Sequence, residues 1–346
     1  MVRKSNFPRR YGIYCRSRLC AMGETSWQNF VYHWCNRSYR IQSYSALVYI
    51  NLKRDIPLKI FALVRDETKA RARFAEILVE GAPLQFVLGD LEHIPVVDEK
   101  VDYIIHGGSP TASRYFAEHP VETIRMNLAG ATALLEMARE KQVESFLFFS
   151  SMAVYGSLHR EEKVDEDHES FVNTMNPRSS YPEAKRMIEA MCASYAAQYN
   201  VPAKVIRLTQ TFGAGVRKED KRVYAQFMRS AMAGEDIVLL TQGGTRRSYL
   251  YTADAVTAIL TVLLKGKNGE AYNAANEDTY CSIKEMAELV ARMKEVNVVV
   301  KASKESDKLY PAELFMNLST QRLRKLEWES KLSIQEMFMK MMGTCD

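Results

Sequence analysis

Four short apolar runs constrain this 346-residue chain more than anything else in it: Leu58–Val64, Leu84–Leu88, Val101–His106 and Ser145–Ser150. Each is nearly continuous rather than alternating, which is the pattern of a strand buried on both faces. Residues 66 to 80 and 119 to 141 lie between them and are helical in pattern. Strands alternating with helices predict crossover units, and hence a doubly wound parallel sheet with helices on both faces. Three of the runs give way to small or acidic residues: Gly89-Asp90, Gly107-Gly108-Ser109 and Ser151. Those exits share one edge of such a sheet, the edge where ligands bind.

Composition narrows the class. With 47% apolar residues the chain can bury a full core, as one large or two modest domains. No run approaches the ~18 to 20 apolar residues of a membrane span. The six cysteines have no C-x-x-C spacing, so neither zinc nor a disulfide framework is expected, and a reducing cytoplasm suits them. The net charge of +5 is local: residues 1 to 45 hold eight Arg or Lys and one acid, Glu24, or +7, which leaves the rest at −2. No nucleic-acid or membrane partner is expected.

Chemistry concentrates between residues 145 and 185. Tyr181 and Lys185 stand four apart in a run of good helix formers, so both project from one helical face. An ammonium beside a phenol favours the phenolate, and a phenolate is a general base. Ser151 sits just past a strand end, where its hydroxyl can bond the same substrate oxygen. Tyr-x-x-x-Lys by itself is weak, because Tyr49/Lys53 and Tyr280/Lys284 repeat it. Only the copy at Tyr181 follows a Ser150-Ser151-Met-Ala-Val-Tyr155-Gly156 strand exit.

That combination resembles the extended short-chain dehydrogenase/reductase family, the nucleotide-sugar epimerases, dehydratases and decarboxylases. The resemblance covers about residues 46 to 340. It implies a Rossmann-type domain over 46–213 and a mainly substrate-binding domain over 214–346, with 236–275 partly returning to the first. It implies Tyr181, Lys185 and Ser151 as catalytic. It implies cofactor contacts at Asp90, Gly107, Gly108, Ser109, Asn127 and Ser150, besides Tyr181 and Lys185. Gln210, Arg222 and Arg247 match segments that grip a nucleotide diphosphate, whose pyrophosphate suits arginine forks. NAD is the expected cofactor; Arg65, after the second strand, is the residue type that pairs with a 2′-phosphate, so NADP stays open. The substrate is expected to be a nucleotide-diphosphate sugar, and a homodimer is implied through the helices at 119–141 and after Tyr181.

The N-terminal segment departs from the family. Such a chain should open with a strand, a glycine-rich turn and a helix, because the cofactor pyrophosphate must approach bare backbone N–H groups. Phe30 to Tyr44 contains no glycine. The genetic code offers a reason. With codons taken from the last two bases of one residue and the first of the next, Trp34-Cys35 must read glycine. Positions 37 and 40 also permit it, at a spacing of three and three. The shifted reading from Phe30 runs Leu-Phe-Ile-Thr-Gly-Ala-Thr-Gly-Leu-Ile-Gly, an apolar strand and a glycine turn. Residues 1–45 are therefore expected to be out of frame, with the written chain lacking both its phosphate cradle and its first, central strand. A transit peptide would explain the composition but not the spacing.

The reaction is expected to be oxidation of a sugar C4 hydroxyl to a 4-keto intermediate. The 4,6-dehydratases place Asp-Glu after the catalytic Ser or Thr, and this chain has Met152-Ala153. UDP-glucuronate decarboxylases resemble it around Asn176 to Tyr181, Arg222 and Arg247, but carry glutamate where Ala153 stands. A 4-epimerase needs no extra acid or base and is the expected activity. The alternatives are a decarboxylase-like enzyme and an inactive frameshifted relative or non-catalytic sugar-nucleotide binder.

Overall fold

A computed structural model describes residues 28–33, 43–44, 47–48, 58–76, 78–110, 113–214, 216, 219–302 and 313–343. Seven parallel strands form the main sheet: β1 (Gln28–His33), β2 (Leu58–Val64), β3 (Leu84–Leu88), β4 (Tyr103–His106), β5 (Ser145–Ser151), β7 (Ala203–Leu208) and β11 (Ala271–Ala274). Their spatial order is β11-β7-β5-β4-β1-β2-β3. The chain builds outward from β1 to β3, then crosses to β4 and builds the other way. The reversal opens a crevice at the carboxyl ends of β1 and β4.

The apolar runs read from the sequence are these strands, and their residues divide between two cores. Phe146 and Phe148 of β5 join a cluster with Leu134, Leu135 and Ile188, from helices α3 (Pro120–Glu140) and α4 (Ser180–Tyr199). Leu147 and Phe149 join the other cluster, with Ala70 and Phe74 of α1 (Glu67–Phe74), Ile259 and Val262 of α6 (Thr252–Lys265), and Tyr44, Leu47 and Val48. Helices thus cover both faces, as continuous apolar strands require. A short helix, α2 (Ser113–Glu118), precedes α3.

One expectation is corrected. The written chain does have a first, central strand: β1 pairs in parallel with β2 on one side and β4 on the other. Gln28-Asn-Phe-Val-Tyr-His33 carries aromatic and β-branched residues that favour a strand without any glycine turn. The turn itself, residues 34–42, lies outside the described residues, as do Tyr49 and Lys53.

A second body of structure follows β7. Strands β8 (Gln210–Phe212), β10 (Arg246–Tyr251), β12 (Asn276–Ser282) and β14 (Phe315–Leu318) assemble a smaller mixed sheet, with β6 (Lys163–Val164) at its edge. Strands β9 (Ile237–Leu239) and β13 (Val298–Val300) pair separately. Helices α5 (Val223–Met232), α7 (Ile283–Lys294) and α8 (Ile334–Met342) bury Tyr224, Phe227, Met286, Val290, Phe338 and Met341 in one core with Phe212 and Tyr249. Between them, α6 and β11 return to the large sheet.

Candidate active site

The site begins where β5 stops. Ser151 caps a single 3-10 turn, Met152–Tyr155, by accepting the Ala153 N–H at 3.2 Å. Gly156 ends that turn at φ +64°, and a Cβ there would lie 2.3 Å from the Phe171 carbonyl oxygen. Only glycine fits both demands. The other wall is α4, whose entry is set by Asn176 accepting the Arg178 N–H across Pro177.

Tyr181 and Lys185 lie on the first turns of α4. Lys185 is 1% exposed, and its Nζ donates to the Phe149 carbonyl at 2.9 Å. It also sits 4.5 Å from the Phe148 ring centroid and 5.7 Å from that of Tyr181. The ammonium is thus tied to the strand that ends in Ser151, two residues beyond its anchor. Tyr181 is half-buried and stacks on Phe116 of α2.

The residues expected at the cofactor divide into groups. Gly107, Gly108 and Ser109 follow β4 and are buried at the crevice. Asn127 on α3 is wholly buried; its amide donates to the Thr123 carbonyl at 2.7 Å, while its Oδ1 accepts nothing among the described residues. A buried acceptor left open suits a ligand hydroxyl or amide. Asp90 is committed locally: its Oδ1 takes the Glu92 and His93 N–H groups, both at 2.8 Å. Desolvation works to raise its carboxyl pKa, but those N–H donors and the His93 ring outweigh it and hold the group below its usual range. Arg65 is exposed just beyond β2. Ser150 turns its hydroxyl to Glu189 Oε1 at 2.5 Å rather than to the crevice.

On the substrate side, Arg247 of β10 donates to Gln210 Oε1 at 3.1 Å across the β8–β10 pairing. Its Nε is buried with no partner, and no carboxylate pairs with it among the described residues. Arg222 differs, because Asp220 holds its guanidinium. Of the two forks, Arg247 is the one left for an incoming anion.

Two contributors escaped the sequence reading. Glu189 lies one turn beyond Lys185 and receives Ser150 and a bidentate Arg207, whose Nε and Nη2 reach it at 2.7 to 3.2 Å. Its spacing of four from Lys185 was the available signal. Phe116 had none.

For NAD, the described residues fit at one end of the crevice. Lys185, the open Asn127 acceptor and the Gly107–Ser109 turn suit a nicotinamide and its ribose. At the pyrophosphate end, the exit of β1 leads into residues 34–42, which contain no glycine. A pyrophosphate cradle of bare backbone N–H groups is usually built on glycine.

Residues 50–275 match the family model described as the NAD dependent epimerase/dehydratase family. The chain belongs to that family. UDP-glucuronic acid decarboxylase 1 of Danio rerio is 30% identical over 193 residues, 55% of this chain and 45% of the relative. The chain thus spans under half the length of that relative. dTDP-D-glucose 4,6-dehydratase of Mus musculus is 27% identical over 248 residues, 69% of this chain and 66% of the relative. The solved UDP-N-acetylglucosamine 4-epimerase from Methanobrevibacter ruminantium shares the fold, with a TM-score of 0.76 at 17% identity, covering 92% of this chain and 98% of that one. The relatives matched in sequence are thus a decarboxylase and a dehydratase, and the solved 4-epimerase shares the fold.

Proposed function

We propose that this protein is an NAD-dependent enzyme acting on a nucleotide-diphosphate sugar, and that its reaction is inversion at the sugar C4. The observation that carries the reading is the Lys185 ammonium, 5.7 Å from the Tyr181 ring centre and bonded to Phe149 on the strand that ends in Ser151, followed by Met152 and Ala153 in place of a carboxylate. Tyr181 as phenolate takes the C4 hydroxyl proton, and Ser151 donates to the same oxygen. Lys185, fixed by Phe149, holds the charge on the phenol. When bound, NAD supplies the hydride acceptor and donor at C4. The keto sugar turns over in the site and Tyr181 returns its proton to the oxygen on the other side. Nothing beyond these groups is required. Dehydration and decarboxylation lean on a carboxylate after Ser151, and this chain has none there. Arg247 holds the diphosphate.

A homodimer through α3 and α4 accords with their exposed Val121, Ile124 and Met187. No helix among the described residues is long and apolar enough to cross a membrane. The reading of a cytoplasmic enzyme rests on cysteines without C-x-x-C spacing, which suit a reducing compartment.

A second reading follows from the glycine-free exit of β1: the chain as written binds sugar nucleotide but not NAD, because residues 1–45 are out of frame. Two features support it. The strand ends at His33, and the first glycine of the shifted reading falls at the next position. The decisive experiment compares the written chain with one carrying the shifted residues from Phe30 to Tyr44. Both are assayed for bound NAD and against UDP-glucose, UDP-N-acetylglucosamine and UDP-glucuronate. A 4-epimer supports the first reading and pentose formation supports the decarboxylase. NAD retained only by the restored chain supports the second reading.

A further inference from the structure

Tyr181 makes an aromatic contact that the Tyr-x-x-x-Lys spacing does not call for. The ring of Phe116 lies on it with centroids 5.1 Å apart and planes 14° from parallel. Near-parallel rings at that separation are offset, the arrangement that aromatic pairs prefer. The same two segments are joined a second time: Ser180 Oγ donates to the Phe116 carbonyl at 3.2 Å. Phe116 belongs to α2, which starts four positions after Ser109 at the crevice. The phenol is thus in contact with the segment that leaves the proposed cofactor turn.

Lysine alone does not fix the phenol. Its Nζ is tied to the Phe149 carbonyl and stands 5.7 Å from the centre of the Tyr181 ring. That arrangement sets where the positive charge is, but leaves the tyrosine two side-chain torsions. A half-buried ring on the first turn of a helix can rotate unless something packs on its face. Phe116 packs there.

We propose that Phe116 is a positioning residue for Tyr181, holding the ring in the orientation from which its oxygen reaches the substrate hydroxyl. The proposal rests on the reading of Tyr181 as the base. A reacting group that must lie within hydrogen-bond reach loses rate steeply when its orientation is averaged. An offset aromatic pair is worth up to roughly a tenfold change in population, so the loss expected is of that size.

Two variants test it in the full chain. Phe116→Leu keeps apolar bulk and removes the ring; Phe116→Tyr keeps the ring. Phe116→Leu should lower kcat about tenfold with KM for the sugar nucleotide changed less than about twofold, and Phe116→Tyr should restore kcat. A readout independent of turnover is 19F NMR of 3-fluorotyrosine placed at position 181. The parent and Phe116→Tyr should give an ordered resonance, and Phe116→Leu an averaged one. Parent kcat together with a parent-like resonance in Phe116→Leu would overturn the proposal. So would equal losses in both variants accompanied by lower thermal stability, the mark of a merely structural contact. If the parent turns over no sugar nucleotide, the proposed function fails, while the resonance still decides whether Phe116 orders Tyr181.

Discussion

The Lys185 ammonium is bonded to the carbonyl of Phe149, 36 residues earlier and on the strand that ends in Ser151. With the Ser150–Glu189 bond beside it, this contact ties α4 to β5. Lys185→Met keeps the length and loses both the bond and the charge. It should lower kcat roughly 100-fold or more, with sugar-nucleotide affinity by calorimetry nearly unchanged. Parent-like kcat would show that the lysine only packs.

The two candidate arginines should separate by phenotype. Arg247 has no carboxylate partner among the described residues, so Arg247→Ala should raise KM for the sugar nucleotide roughly 10- to 100-fold. Arg222 is held by Asp220, which is itself half-buried, so Arg222→Ala should lower the thermal midpoint more than Arg247→Ala does. Steady-state kinetics and melting curves on the same pair decide it. Equal KM effects would contradict the assignment.

Glu189 and Arg207 form a pair with side chains 13% and 14% exposed, and Arg207 also donates to the Tyr155 hydroxyl and the Glu166 carbonyl. Burial works against its charge, but Glu189 outweighs that and drives the guanidinium pKa further up. Removing one partner leaves a buried charge, so Glu189→Gln should cost about 3–5 kcal/mol in denaturant unfolding. Glu189→Leu with Arg207→Leu should cost less than the sum of the single changes. Additive losses would rule out the coupling.

Lys204 sets a pH dependence away from the site. Its Nζ donates to Ser145 Oγ at 2.8 Å and the Pro202 carbonyl at 3.1 Å, and desolvation lowers its pKa from 10.5 to about 8. Between those values the unfolded chain binds the proton and the folded chain does not. Stability contributed by this group therefore rises with pH from about 8 to about 10.5. Below about 8 both states are charged and the burial penalty is fully present. Relative to Lys204→Met, the parent should gain on the order of 2–3 kcal/mol across that window in urea titrations. A flat difference would contradict this.

Much of the architecture was legible because it is written locally. The runs at 58–64, 101–106 and 145–150 are apolar enough to demand two covered faces, and they are the buried strands β2, β4 and β5, whereas 84–88 forms the edge strand β3, on which Leu88 is 64% exposed. β1 was less legible because its strand preference lies in only three residues, Phe30, Val31 and Tyr32, with no glycine turn after them to mark the exit. The proposed trio of Tyr181, Lys185 and Ser151 was read from spacing and from the strand exit before it. The commitments of Ser150 to Glu189, 39 residues on, and of Phe116 to Tyr181 were not, since a long-range partner leaves no periodic trace. Asp90 shows a local rival at work, because an aspartate after a strand satisfies two turn N–H groups before any ligand arrives.

The central claim is that Tyr181 removes the proton from a sugar C4 hydroxyl. The most direct test incubates the NAD-retaining protein, and its Tyr181→Phe variant, with UDP-glucose, UDP-N-acetylglucosamine and UDP-glucuronate, and follows the sugar by proton NMR. The account predicts the C4 epimer of at least one of them, formed roughly 1,000-fold more slowly by Tyr181→Phe. No epimer from any of the three, or an epimer formed equally fast without the phenol, would contradict it.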